Sequence, residues 1–246
     1  MERPVSSAKA KQAVRERIWT QLEESGASTS GAHGRIPDFV GSDQAAARLA
    51  ELPQWQAARV IKANPDWAQL PVRQAALKAG KLVYMAVPKL ANIQPFFRLD
   101  PAELRRQGLS FDEVVAHQRA ADLTPKVSID EMQPVDFIVC GTVAVNRRGV
   151  RIGKGAGYSD IEVGLLAGAG LISELTTIVT TVHGLQVVEE ELPHDEHDFT
   201  VDYIVTPDEI IPCGPAYRPK RLVWDSLSEA QISAMPVLHV VRELGN

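Results

Sequence analysis

Between residues 7 and 25 apolar side chains recur at helical spacing, with Val14, Ile18 and Leu22 on one stripe and Gly26 placed to stop the helix. Lys11 and Arg15 lie one turn apart on the border of that stripe. Such a pair either runs along a buried edge into a cleft or sits on a solvated face, the commoner arrangement. A Gly/Ser/Thr-rich loop follows over 27–41, and a helix is expected from Ser42 or Asp43 with Ala45, Ala46, Leu49 and Leu52 turned inward. Short β-prone runs then alternate with helical ones. Strands are expected at 58–62, 81–87, 135–140, 177–182, 186–188 and 201–205, and helices at 71–79 (stopped by Gly80), 110–121 and 159–169. Near the end, 222–224 reads as an edge strand and 226–235 as a short helix. The runs are almost continuously apolar, which fits an α/β fold with a mainly parallel sheet covered by helices on both faces. With no repeat or low-complexity linker, one domain over 1–246 is expected, carrying a C-terminal extension from about 211 to 246.

The densest chemistry lies in Arg151-Ile152-Gly153-Lys154-Gly155-Ala156-Gly157-Tyr158-Ser159-Asp160. Glycines at alternate positions let backbone N–H groups turn inward around an anion, and a helix N-terminus just beyond adds its positive dipole end. Arg151 and Lys154 would offset phosphate charge, and a carboxylate at Asp160 suits a Mg2+ between it and the phosphates. A ligand-free glycine turn has the same composition. The dinucleotide fingerprint does not fit, because the glycines alternate and stand about ten residues beyond the strand. Ligands in such sheets bind beyond the carboxyl ends of the strands, where this loop is expected.

Composition narrows the classes. Forty-five per cent hydrophobic residues supply a full core, and a net charge of −5 leaves no electrostatic footprint for nucleic acid. The two cysteines, Cys140 and Cys213, have neither zinc-site nor disulfide spacing, so a reduced, cytoplasmic protein is expected. No run approaches the ~20 apolar residues of a membrane span. Ser159-x-x-Glu162 reads as a helix capping box rather than a catalytic pair. The polar run from His194 to Asp198 reads as a solvated loop in preference to a transition-metal site.

Together the segments resemble the 5-formyltetrahydrofolate cyclo-ligase, or methenyltetrahydrofolate synthetase, family. The carriers are Val135 to Asn146 followed by Gly149-Val150-Arg151-Ile152-Gly153-Lys154-Gly155-Ala156-Gly157-Tyr158-Ser159-Asp160, similar to the family's Gly-x-Arg-Leu-Gly-x-Gly-x-Gly-Tyr-Tyr-Asp-Arg segment. Lys11-Gln12-Ala13-Val14-Arg15 resembles its N-terminal Lys-x-x-Leu-Arg. Pro193 to Asp198 with Asp202 to Thr206 resembles its Pro-x-x-x-His-Asp and Asp-x-x-x-Thr stretch. Four departures stand out: Ser159 for the second tyrosine, Ile161 for the arginine after the aspartate, Asn146 for an aspartate, and Asp66 to Gln69 where the family has Glu-x-Asp-Thr. With the segment from Gly34 to Ser42, they resemble a divergent branch that includes the methenyltetrahydrofolate synthetase domain-containing proteins.

The resemblance implies a three-layer Rossmann-like fold of the cyclo-ligase (NagB–RpiA–CoA transferase-like) kind. It also implies ATP- and Mg2+-dependent conversion of 5-formyltetrahydrofolate to 5,10-methenyltetrahydrofolate, with a small-molecule substrate and no nucleic acid or membrane partner. The implied roles are phosphate binding for Lys11, Arg15, Gly153, Lys154, Gly155, Gly157 and Tyr158, and catalysis for Arg151, Tyr158 and Asp160, the last holding the metal. Asp66, His197 and Asp198 fall on the substrate side. Two alternatives stay open: the same fold with another acceptor, and a nucleotide-binding module without catalysis.

Overall fold

A computed structural model describes residues 7–243 of the chain. Eleven strands run in chain order: β1 (Val60–Ala63), β2 (Leu82–Ala86), β3 (Phe96–Leu99), β4 (Lys126–Val127), β5 (Phe137–Cys140), β6 (Ala144–Asn146), β7 (Arg151–Ile152), β8 (Thr177–Thr181), β9 (Val187–Val188), β10 (Tyr203–Val205) and β11 (Ile210–Pro212). The main sheet has the order β11-β10-β8-β5-β1-β2-β3-β4. Its five central members pair in parallel, while β3 and β11 run against them and β4 pairs antiparallel with β3 at the far edge.

The expected α/β architecture is present, and the apolar runs explain it. Alternate side chains of each strand enter opposite cores. Ile61, Ala63, Phe137 and Val139 join the helices Ser7–Glu24, Ser42–Leu49 and Leu70–Lys78 on one side. Val60, Ile138 and Cys140 join the helix Tyr158–Gly168 and the C-terminal helices on the other. Both strand faces are buried, so neither carries the polar alternation of a half-exposed sheet.

From β1 the chain moves outward to β2, β3 and β4, then returns to the other side of β1 as β5. The sheet therefore has its topological switch between β1 and β5, where the strands' carboxyl ends open a crevice. A smaller sheet, β7-β6-β9, stands beyond β5. Its β6–β7 hairpin delivers the glycine segment to that crevice. Asn146 shapes the turn by accepting from the N–H groups of Arg148 and Val150 at 3.1 Å each. Gly149, at φ +82°, completes it where an added Cβ would meet the Val201 carbonyl oxygen at 2.3 Å. The Asn146 departure thus serves the hairpin.

Several expectations need correction. The helix expected over 110–121 is two, Phe111–Val114 and His117–Leu123. The Val115 carbonyl between them accepts from Arg73 Nε at 2.9 Å. No strand forms at 222–224; Leu222 lies on the helix Tyr158–Gly168, its Cα 3.0 Å from where a Gly164 Cβ would be. The strand at 186–188 shrinks to β9, its first residue belonging to the turn Gly184–Gln186. The Ser159/Glu162 capping box does not exist either. The helix begins at Tyr158 with Gly157 as N-cap in the left-handed region, so Glu162 stands a turn too far along to reach back. Among the described residues no helix is long and apolar enough to cross a membrane.

Candidate functional site

The crevice is divided by the glycine segment into two lobes. The larger, about 540 Å³, lies beyond the ends of β1, β2 and β5 and is lined by residues that include Asn64, Asp66, Lys154 and Ser159. The smaller, about 250 Å³, is lined by Lys11, Arg15, Gly155, Asp195, His197 and Asp198 among others. Arg151, Gly153, Gly157 and Asp160 line both. The larger volume is within the range of small-molecule sites.

On the smaller lobe, Lys11 and Arg15 are only 8% and 9% exposed. They extend the stripe of Ile18, Trp19 and Leu22 by successive turns, which answers the ambiguity left by their spacing. Arg15 Nε donates to the Gly153 carbonyl at 2.7 Å, and its guanidinium lies 3.4 Å from where a Gly155 Cβ would stand. Burial pulls the Arg15 pKa down, while Asp198 opposes that shift. Lys11 Nζ donates to Asp195 Oδ2 at 2.6 Å and also pairs with Asp198. The run from His194 to Asp198 is therefore not a freely solvated loop: Asp198 is buried and Asp195 half-buried, both tied to the N-terminal helix. Asp195, His197 and Asp198 place one ligand atom each within 4.8 Å of one another.

Arg151 departs from its expected exposure toward phosphate. Its side chain is 2% exposed, is ion-paired with Asp160, and stacks on Phe199 with its guanidinium carbon 3.7 Å from the ring centroid. Its buried Nε has no hydrogen-bond acceptor among the described residues. Burial raises the Asp160 pKa, Arg151 opposes this, and Asp198 adds to the rise. Gly155 and Gly157 occupy the left-handed region at φ +103° and +73°, whereas Gly153 does not.

The larger lobe contains groups that sequence reasoning passed over. Lys62, fully buried on β1, forms an ion pair with Glu162, which lines the lobe. Lys62 Nζ also donates to Asn64 Oδ1 at 2.6 Å, and Asn64 Nδ2 donates to Ser159 Oγ at 2.7 Å. Ser159, the replacement for a tyrosine, thus ends a polar chain that begins on the central strand. Arg73 is 1% exposed and donates to the carbonyls of Asp66 at 3.0 Å and Pro65 at 3.3 Å, fixing the loop that carries Asp66. Burial draws its pKa down to about 9. Lys154 Nζ reaches Asp66 Oδ1 at 3.4 Å across the lobe. Burial also lowers the pKa of His117 on the same wall, with Arg73 acting in the same direction. A signal for Lys62 and Arg73 was present, since each is a lone cation in an otherwise apolar stripe: Val60-Ile61-Lys62-Ala63 and Val72, Arg73, Ala76, Leu77.

Comparison with known proteins gives this arrangement a lineage. The model of the 5-formyltetrahydrofolate cyclo-ligase family matches residues 7–207. The chain belongs to that family. It is 35% identical over 238 residues to the methenyltetrahydrofolate synthase domain-containing protein of Mus musculus, covering 95% of this chain and 63% of that one. Against the Homo sapiens protein of the same name the figures are 32%, 95% and 61%. The chain thus spans less than two thirds of the length of these relatives. The NMR structure of Aquifex aeolicus 5,10-methenyltetrahydrofolate synthetase superposes with a TM-score of 0.51 at 19% identity, over 88% of this chain and 99% of that one, a likeness of fold.

Within the cyclo-ligase family frame, Ile161 gains a physical reason. It lies in the apolar cluster with Leu222 and Ile232 of the segment beyond residue 207. An arginine there would have to set its charge against that apolar cover. The residues on the smaller lobe also suit the metal the family reading implies. Asp160, Asp195 and Asp198 all line that lobe and offer hard carboxylate oxygens, the donor type that Mg2+ prefers.

Proposed function

We propose that this chain is an ATP- and Mg2+-dependent cyclo-ligase that converts a formylated reduced folate, 5-formyltetrahydrofolate, to 5,10-methenyltetrahydrofolate with release of ADP and phosphate. One observation carries this reading: two lobes of unlike chemistry meet at a single glycine segment placed at the switch point of the sheet. A reaction that joins a phosphoryl donor to an acceptor needs that layout.

In this reading the polyphosphate occupies the smaller lobe. The backbone N–H groups around Gly153, Gly155 and Gly157 donate to it, Lys11 and Arg15 offset its charge from within the lobe with Arg151 at the junction, and Lys154 adds to them from the larger-lobe side. Asp160, with Asp195 and Asp198, would hold Mg2+, which supplies charge neutralisation to the phosphates when bound. The acceptor lies in the larger lobe against Asp66 and Tyr158, whereas His197 and Asp198, expected on the substrate side, line the smaller lobe with the phosphates. The formyl oxygen attacks the γ-phosphorus and ADP leaves. N10 then adds to the formyl carbon, and the C–O bond breaks with loss of phosphate. No enzyme nucleophile is required, so the protein contributes positioning and charge.

The Asn64–Ser159 hydrogen bond and the Lys62–Glu162 pair favour a second reading, in which the same donor chemistry serves a different acceptor. Mixing protein, MgATP and 5-formyltetrahydrofolate while following the near-ultraviolet absorbance of the methenyl product separates the two. An ATP-dependent rise is expected. A flat trace with calorimetric ATP binding would refute the folate reaction in favour of another acceptor, and absence of ATP binding would refute both.

A further inference from the structure

The outer wall of the larger lobe has three side chains that the fold does not use. Trp67 is 53% exposed although its turn, Trp67–Gln69, is firmly held. Ala68 and Gln69 are buried, Gln69 Nε2 donates to Thr181 Oγ1 at 3.2 Å, and Arg73 grips the carbonyl just before the indole. The ring is therefore presented to solvent by an anchored backbone.

Lys89 is unusual in another way. It sits at φ +61°, and Leu90 after it at +51°, in the left-handed region that glycine favours. Leu90 is fully buried and its N–H bonds the Val87 carbonyl at 2.9 Å, so the turn after β2 is locked while Lys89 projects from it. Strain held at a non-glycine position commonly marks a side chain that is needed there. Arg35 is the third. Its carbonyl accepts from Trp19 Nε1 at 3.0 Å, fixing the backbone, while its side chain is exposed. Among the described residues neither the Lys89 ammonium nor the Arg35 guanidinium has an ion-pair or hydrogen-bond partner. All three line the same lobe.

A flat indole and two unpaired cations lining one lobe are complementary to a ligand that joins an aromatic ring to carboxylates. We propose that Trp67, Lys89 and Arg35 set acceptor specificity: Trp67 stacks on the aminobenzoyl ring, and Lys89 and Arg35 take the carboxylates of the glutamate tail. This assignment rests on the folate reading above.

The test is equilibrium binding by calorimetry, independent of turnover, using 5-formyltetrahydrofolate and its tail-less counterpart 5-formyltetrahydropteroate. The wild type is expected to bind the tailed compound about tenfold more tightly than the tail-less one. Trp67→Leu should weaken both by about tenfold, as loss of a stacking platform does. Arg35→Glu combined with Lys89→Glu should erase the difference between the two compounds and leave ATP affinity unchanged. Lys89→Gly should bind the tailed compound more weakly while melting a few degrees higher, because glycine relieves the left-handed strain. A purely structural lysine would not show that opposition.

Wild-type binding that all these variants reproduce overturns the assignment and leaves the ligase reading intact. Binding with the expected variant pattern but no methenyl product overturns the ligase reading and supports the assignment. Failure of the wild type to bind either compound overturns both.

Discussion

The two lobes differ in how their charges are answered. On the smaller one, Lys11 is held by Asp195 and Asp198, and Arg151 by Asp160, all but the half-buried Asp195 largely out of water. On the larger one, Lys89 and Arg35 have no partner among the described residues and an indole faces solvent. The first is charge-balanced before any ligand arrives, so a bare polyphosphate would leave its carboxylates opposed to new negative charge. Entry together with a divalent cation preserves the balance. On the second, the Lys154–Asp66 and Lys62–Glu162 pairs are answered too, but Lys89 and Arg35 need no exchange of partners and are ready for an anion as they stand. A similar number of cations can thus describe a site that trades partners and a site that only receives one.

The sharpest way to break this contrast is Asp160→Asn, which leaves Arg151 buried against a neutral partner. ATP-dependent turnover should fall about 100- to 1000-fold, the scale of a lost charge-stabilising group. Acceptor affinity by calorimetry should stay near wild type; an equal loss on both sides would mean that the lobes are not separable. Lys11→Met comes next. Removing one member of a buried ion pair costs about 3–5 kcal/mol of stability, and the rise in KM should appear for ATP alone. Chelating Mg2+ should weaken ATP binding to Lys11→Met far more than to the wild type, because Asp195 and Asp198, having lost their resident cation, then face the bare polyphosphate. Equal sensitivity in both proteins would contradict the balance argument.

Arg73→Lys tests the other lobe at a distance. Lysine cannot span the carbonyls of Pro65, Asp66 and Val115 together, so the Asp66 loop loosens. Acceptor KM should rise about tenfold, equivalent to about 1.4 kcal/mol, with ATP KM untouched. The smallest effect is expected at Glu23, whose carboxylate accepts from the N–H of Ala32 at 2.7 Å and that of His33 at 3.2 Å, just before the Arg35 loop. Those bonds, led by Ala32 and then the His33 side chain, lower its pKa from 4.5 to about 2. Because the folded value is the lower one, the stabilisation is complete above pH 4.5 and is lost as pH falls toward 2. The melting difference between wild type and Glu23→Gln should therefore be present at neutral pH and narrow below that range. A difference constant with pH would assign the effect to something other than this carboxylate.

Legibility from sequence followed the strength of the local signal. The helices Ser7–Glu24 and Ser42–Leu49 and the central strands were readable because periodicity, glycine stops and apolar runs agree there. The antiparallel edges β3, β4 and β11 were missed. They are two to four residues long, too short for an alternation to show, and β4 finds its partner β3 some thirty positions back along the chain. The break at Val115 depends on Arg73, 42 positions earlier, which no local window contains. At the site, the glycine segment and Lys11/Arg15 stood out by spacing. What did not was the partner each charge would choose. Arg151 reads as a phosphate ligand until Phe199 and Asp160 enclose it, and Ser159 reads as a cap until Asn64 is seen beside it. Lys62 and Glu162 lie 100 positions apart, as their residue numbers give, and only the sheet brings them together.

The glycine segment and Asp160 are where the two lobes touch. The loop after β1 that holds Trp67 and the turn after β2 that holds Lys89 belong to one lobe alone. Descent with modification then has an unequal terrain in this fold. Changes in those two loops would redirect a duplicated copy toward a new acceptor and leave the proposed phosphate grip in place, whereas drift in the shared segment would strike the donor chemistry on which every acceptor depends.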